Sequence, residues 1–272
     1  GVYGFVRKST LINKNPAQIE IAILDGIQNI MPFGVGSDLQ NQSSNLVDAY
    51  KRSELIKDKG LAIYALSAII VDKAEPSEAL KANIVWSMGL ENPKNLKSSL
   101  QIKNYRKNEI IVGKIDVKAE KGAYFLNAEI VLPANEQKEW MLIADVNQDH
   151  SDIARILHTI KSEKQLENLV NRSIEAGSKR LTALNAASDG LQQTADKLRD
   201  ARHFSNSLFN IMRGGIFDRN YQIEKGDFSN YLSKANKHVF KKVKKDLAEL
   251  PDIFSLSVLK AMTTQSIDND FM

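Results

Sequence analysis

The sequence predicts an α+β protein, with a large antiparallel β-sandwich over residues 1–147 followed by a helical region over residues 148–272. Three observations predict it. The first half is a series of short segments rich in Ile, Val, Leu and aromatics, separated by turn-like stretches with no helix-length insert. At Asp149 the apolar period changes to a helical one. Strands followed by helices favour α+β over alternating βαβ winding.

The opening stretch GVYGFVRKST reads as a strand already under way, as if the chain began inside a larger protein. It lacks the long apolar run and small-residue cleavage site of a signal peptide. Strands are then expected at IEIAIL (19–24), LAIYALSAIIV (61–71), KANIVWSMG (81–89), SSLQIKNYR (98–106), EIIVGKIDVKA (109–119), AYFLNAEIVL (123–132) and KEWMLIADV (138–146). KDKG, ENPKN, RKN, KAEKG and PANEQ are the turns between them. EIIVGKIDV alternates only in part, which leaves its register open. The polar stretch 37–51, with Leu39, Leu46 and Val47 as its main apolar residues, reads as a short helix or ordered loop inserted into the sheet.

In the second half, Ile153, Ile156, Leu157 and Ile160 form one helical stripe behind Ser151 or Asp152 as N-cap. Leu166, Leu169, Val170, Ile174, Leu181 and Leu184 keep the spacing, with breaks expected at Gly177 and Gly190. After the corner Arg213-Gly214-Gly215, Asp227 is expected to cap a helix that runs to Pro251.

Composition excludes several kinds of chemistry. With no cysteine, disulfides, thiolate catalysis and Cys-ligated metals are out. The formal charge of +4 comes from 37 basic and 33 acidic residues that are interspersed, so no nucleic-acid partner is expected. The one dense basic run, KHVFKKVKK (237–245), has Val239, Phe240 and Val243 on one stripe and reads as a solvated amphipathic helix. No 18-residue apolar stretch occurs, so no membrane span is expected; the chain reads as soluble, cytoplasmic or periplasmic. Four histidines without ligand spacing call for no metal, and no serine elbow or phosphate loop is present, so no cofactor is expected.

Glu75 and Glu78 precede the strand that carries Trp86, but their spacing shows no acid/base pair of the kind glycoside cleavage needs, and no catalytic residue is assigned. The most unusual stretch is 24–54. Asp25, Gln28, Asn45, Asp48, Tyr50 and Arg52 can satisfy their own backbone, face a neighbouring domain, or present amides, carboxylates and a guanidinium to sugar hydroxyls over Tyr50 or Phe33. At the 203–228 corner, Gly214 or Gly215 is expected to end a helix in the left-handed conformation. Arg213, Asn206 and Asn210 are candidates for a domain interface.

The Trp-bearing strand NIVWSMGL, the final strand KEWMLIADV and the helical stretch beginning DHSDIARIL together resemble a known arrangement. It is the N-terminal supersandwich and helical linker of large carbohydrate-active enzymes, the cellobiose and maltose phosphorylases and related glycoside hydrolases. Their sandwich is likened to the galactose mutarotase fold, and their catalytic (α/α)6 barrel follows the linker. The resemblance lies in order and pattern over most of the chain. It implies a non-catalytic region that supports and partly borders an active site built by a C-terminal barrel of the same parent protein. It also implies an oligosaccharide as ligand and a role in homodimerisation. Because the family's catalytic residues sit in the barrel, none carries over. An independent sugar-binding module and a scaffold without small ligand are the rival readings.

Overall fold

The computed structural model describes residues 3–70, 78–216 and 222–265; Glu75 and Asp218 lie outside them. The chain divides into two compact units, residues 1–176 and 177–272.

Unit 1 is built on two antiparallel sheets. The larger has the order β1 (Phe5–Ile12), β9 (Gln137–Gln148), β5 (Ala82–Met88), β4 (Leu61–Leu66), β3 (Lys51–Ile56), β7 (Asp116–Lys118). The smaller has the order β2 (Ile19–Ile30), β8 (Gly122–Leu132), β6 (Lys94–Leu96). One apolar cluster joins the two sheets; Tyr64, Val85, Tyr124, Leu126, Trp140 and Leu142 lie in it. A second holds Leu61, Ile84, Trp86, Met141 and Ile143 on the opposite face of the larger sheet. Ile156 of α4 (His150–Ser162) and Val170 of α5 (Leu166–Ala187) cover them.

This third layer explains the near-continuous apolar runs of β4, β5 and β9. Neighbouring residues such as Val85 and Trp86 point to opposite faces, and both faces are buried. Trp86 and Trp140 are both core residues, 1% and 7% exposed, on opposite sides of one sheet. The buried phenols find acceptors, as buried hydroxyls must. Tyr64 Oη donates to the Ala123 carbonyl at 2.7 Å and Tyr124 Oη to that of Gly60 at 2.6 Å.

Several expectations are corrected. SSLQIKNYR is not a strand: Gln101–Arg106 form helix α3. Its end is closed by Asn108 at φ +57°, with the Asn108 and Glu109 N–H groups bonded to the Tyr105 and Asn104 carbonyls. In 109–119 only Asp116–Lys118 form a strand, β7. The Val112 carbonyl accepts from the Gln101 side chain, and the Ile115 carbonyl accepts from both the Leu55 N–H of β3 and the Lys97 ammonium. Strands β3 and β6 were not expected; four of the six residues of β3 are polar, and β6 is three residues overlapping the turn-like ENPKN region. The polar insert is two short helices, α1 (Ser37–Gln42) and α2 (Ser44–Tyr50). Helix α4 is capped by Asp149, two or three residues before the expected Ser151 or Asp152. Asp149 accepts from the Ser151 and Asp152 N–H groups at 2.8 and 3.0 Å, and the Asp152 carboxylate returns to the Asp149 N–H. Arg155 beside it holds the Asp152 carboxyl below its usual range.

Unit 2 takes in the second half of α5 together with α6 (Lys197–Met212), β10 (Gln222–Glu224), α7 (Lys225–Ala235), α8 (Lys237–Glu249), β11 (Ile253–Ser255) and α9 (Leu256–Gln265). Gly177 does not break α5, since a single glycine costs a helix only about 1 kcal/mol. The break near Gly190 is present, but Asp189 adopts the left-handed conformation at φ +55°. The helix expected from Asp227 to Pro251 is two helices. Asn236 ends α7 and accepts the Val239 N–H at 3.1 Å to cap α8, while Asp227 sits in the first turn of α7. Val239, Val243 and Leu247 of α8 form the unit's apolar core with Leu250 and Phe254, so the basic run does carry an amphipathic helix.

Candidate functional site

Asp25 of β2 lies where the two sheets face each other. Trp140 Nε1–H donates to its Oδ2 at 2.6 Å, Arg7 reaches Oδ1 at 2.5 Å and Ser9 Oγ donates to Oδ2 at 3.4 Å. Its carboxylate ties β1 and β9 of one sheet to β2 of the other. Asp48 of α2 accepts from Lys51 Nζ at 2.7 Å, and Gln40 accepts from the same ammonium at 2.6 Å. Lys51 is 3% exposed, so these two partners are what allow a charged group there. Arg52, next along β3, points to the other face and forks onto Asp116 at 3.3 and 3.4 Å, with Glu54 at 2.9 Å. That pairing lowers the Asp116 carboxyl and raises the guanidinium.

Among the described residues, no hydrogen bond joins one of the six candidates of 24–54 to another. Asp25, Asp48 and Arg52 each serve a separate local network. Gln28 and Asn45 are exposed, Tyr50 is half-buried, and the three side chains form no hydrogen bonds with other described residues.

At the corner, Gly214 at φ +74° ends α6. Its N–H bonds to the Ile211 carbonyl at 3.0 Å and the Gly215 N–H to that of Asn210 at 2.9 Å, a helix stop that uses glycine's tolerance of positive φ. Asn210 Nδ2 donates to the Asn206 carbonyl at 2.9 Å, and the Arg213 guanidinium lies 5.3 Å from the centre of the Phe209 ring. The asparagines and arginine therefore finish the helix end locally. Phe209 and Met212 beside them are 54% and 78% exposed.

Two concavities stand out, and sequence reading found neither. In unit 1 an open cleft of about 730 Å³ lies between the segments 57–60, 90–95 and 111–115. Lys57, Lys59, Lys94 and Lys114 line it against one carboxylate, Asp58. In unit 2 a groove of about 610 Å³ lies between α5 and the β10–α7 segment. Arg180, Gln222, Glu224, Asp227 and Tyr231 line it, and Tyr231 is 67% exposed. Both are assembled from residues distant in sequence; the only local sign of the first was the pair of turns KDKG and ENPKN. Among the described residues no group of three or more histidine or carboxylate side chains is placed to hold a metal, and no helix is long and apolar enough to cross a membrane.

Residues 217–272 match a family model described as glycoside hydrolase family 149 insertion domain 1. This part of the chain is thus similar to a glycoside hydrolase-family domain. The match covers the β10–α9 core around Val243 and the α7 wall of the unit 2 groove, and does not extend to the sandwich. No curated protein matches the chain.

Proposed function

We propose that this chain is a non-catalytic part of a carbohydrate-processing enzyme, a glycoside hydrolase or phosphorylase. The sandwich is the supporting scaffold, and the helical unit reaches the glycan. The match over residues 217–272 carries this reading. A sandwich followed by helices, the order found in the enzymes the sequence resembles, supports it. The unit 2 groove supplies suitable chemistry: an exposed phenol face with a carboxylate, an amide and a guanidinium around it, the mixture that holds sugar hydroxyls over an apolar ring face. Of the earlier candidates, we assign Asp25, Asp48 and Arg52 to holding the sandwich and leave Gln28, Asn45 and Tyr50 open to a ligand or neighbouring domain. Arg213, Asn206 and Asn210 shape a corner whose exposed Phe209 and Met212 suit contact with a further domain of the parent protein.

The test is turnover. The purified chain is expected neither to hydrolyse nor to phosphorolyse aryl glycosides or disaccharides. Turnover that survives repurification and disappears in Glu78→Gln or in Asp227→Asn would make the chain an enzyme in its own right.

A further inference from the structure

We infer that the unit 1 cleft is a binding site for a small anionic sugar, a hydroxyl-bearing body that carries a phosphate or carboxylate group. The inference does not rest on the function proposed above and would stand if the chain were no part of a glycoside hydrolase.

Charge and geometry carry it together. Of the four lysines, Lys59 is paired with Asp58 at 3.0 Å, and Lys114 stands 3.9 Å from Glu120. Lys57 and Lys94 have no ion-pair partner among the described residues. They therefore bring uncompensated positive charge to a concave surface, where a low-dielectric wall focuses the field. A solvated lysine face on a convex surface would lack that wall. Here Leu55, Leu90 and Ile111 supply it, and the volume lies within the range of small-molecule sites.

The cleft is also preformed. Lys97, fully buried behind it, donates to the Ser53 carbonyl at 2.9 Å and to the Ile115 carbonyl, and Gln101 donates to the Val112 carbonyl. Two buried polar side chains thus fix the irregular 111–115 wall, so a ligand need not order it. On the other side, Asn92 at φ +44° and Gly60 at φ +60° fix the turns that bring Lys57 and Lys94 to the rim. Asn95 lines the cleft and its side-chain amide makes no hydrogen bond among the described residues; its oxygen is shielded from solvent without a donor. Cations without carboxylates, beside an amide without partners, complement a ligand that has both anionic oxygens and hydroxyls.

Calorimetric titration of the whole chain with glucose 6-phosphate, glucuronate, inorganic phosphate and glucose tests this. One or both of the anionic sugars should bind at least about tenfold more tightly than glucose and than phosphate alone. Binding should weaken between about 0.02 and about 0.5 M salt, as the Debye length contracts. Lys57→Ala and Lys94→Ala should each weaken it about fivefold or more, whereas Lys179→Ala, which removes the same charge from an exposed position in unit 2, should leave it unchanged. Binding limited to phosphate would show that the ligand is not a sugar. Binding of none of the four, equal binding of glucose and its charged forms, or indifference to Lys57 and Lys94 would each overturn the inference.

Discussion

In unit 1 the central strands β4, β5 and β9 are buried on both faces, and Trp86 and Trp140 fill opposite sides of one sheet. In unit 2 the apolar core is one small cluster around Val243. The α5–α6 contact there buries polar groups, Asn185 at 0% and Ser207 at 5%, with Asn185 Nδ2 donating to the Phe204 carbonyl at 3.1 Å. Leu181, Leu184, Leu198 and Phe209 of the same helices are 37–62% exposed. A sheet covered on both sides closes its own core. A helical unit that leaves this much apolar surface in water is built to share it, and its stability should be lower and separable.

Core substitutions break or sharpen that contrast most strongly. Trp86→Ala should remove about 3–5 kcal/mol from unit 1, and Leu247→Ala about 2–5 kcal/mol from unit 2. Followed by Trp fluorescence and far-UV circular dichroism, the first should shift the transition seen by Trp and the second an earlier, helix-dominated one. A single transition moved equally by both would mean that the units unfold together.

A smaller effect separates the two tryptophans. The Trp86 indole N–H has no hydrogen-bond partner among the described residues, whereas that of Trp140 donates to Asp25. Trp140→Phe should therefore cost about 1–3 kcal/mol more than Trp86→Phe beyond the common loss of ring volume, because it takes a donor from a partly buried carboxylate. Equal costs, read from urea unfolding midpoints, would remove Asp25 from the account of how the sheets are joined.

These differences also mark what the sequence could reveal. Strands buried on both faces, such as IVW (84–86) and WMLI (140–143), are legible because every residue is apolar. Helix α4 was legible because Ile153, Ile156 and Leu157 repeat at helical spacing. Segment 98–118 was not. Its apolar residues resemble a strand, but Ile110 and Val112 are 88% and 67% exposed, and buried Lys97 and Gln101 hold its carbonyls. Side-chain-to-backbone bonds of that kind leave no period in a sequence. The split at Asn236 was missed because asparagine inside a helical pattern reads as a tolerated residue until its side chain is seen capping the next helix. The two concavities belong to tertiary structure; no spacing along the chain brings Lys57 to Lys94, or Arg180 to Tyr231.

The smallest effect is a pH dependence. Burial lowers the Lys97 ammonium from its ordinary value to about 8. Between about pH 8 and the unfolded lysine value near 10.4, the unfolded chain holds more protons at this site, so its contribution to stability rises with pH and is lost as pH falls through 8. The buried Tyr64 and Tyr124 hydroxyls are pushed up and act oppositely, since above about pH 10 only the unfolded chain releases their protons. The unit 1 midpoint should rise modestly from pH 7.5 to about 9.5 and fall beyond. Lys97→Met should flatten the rise and leave the fall; an unaltered rise would mean that Lys97 is charged across the whole range.

The claim that the helical unit meets a glycan is tested most directly by following the Tyr231 ring resonances while neutral gluco-oligosaccharides are titrated into the whole chain. Saturable shifts are expected with a dissociation constant of about 1 mM, roughly 4 kcal/mol, abolished by Tyr231→Ala in a variant whose unfolding midpoints are unchanged. No shift at concentrations well above that, or binding that survives Tyr231→Ala, would contradict it.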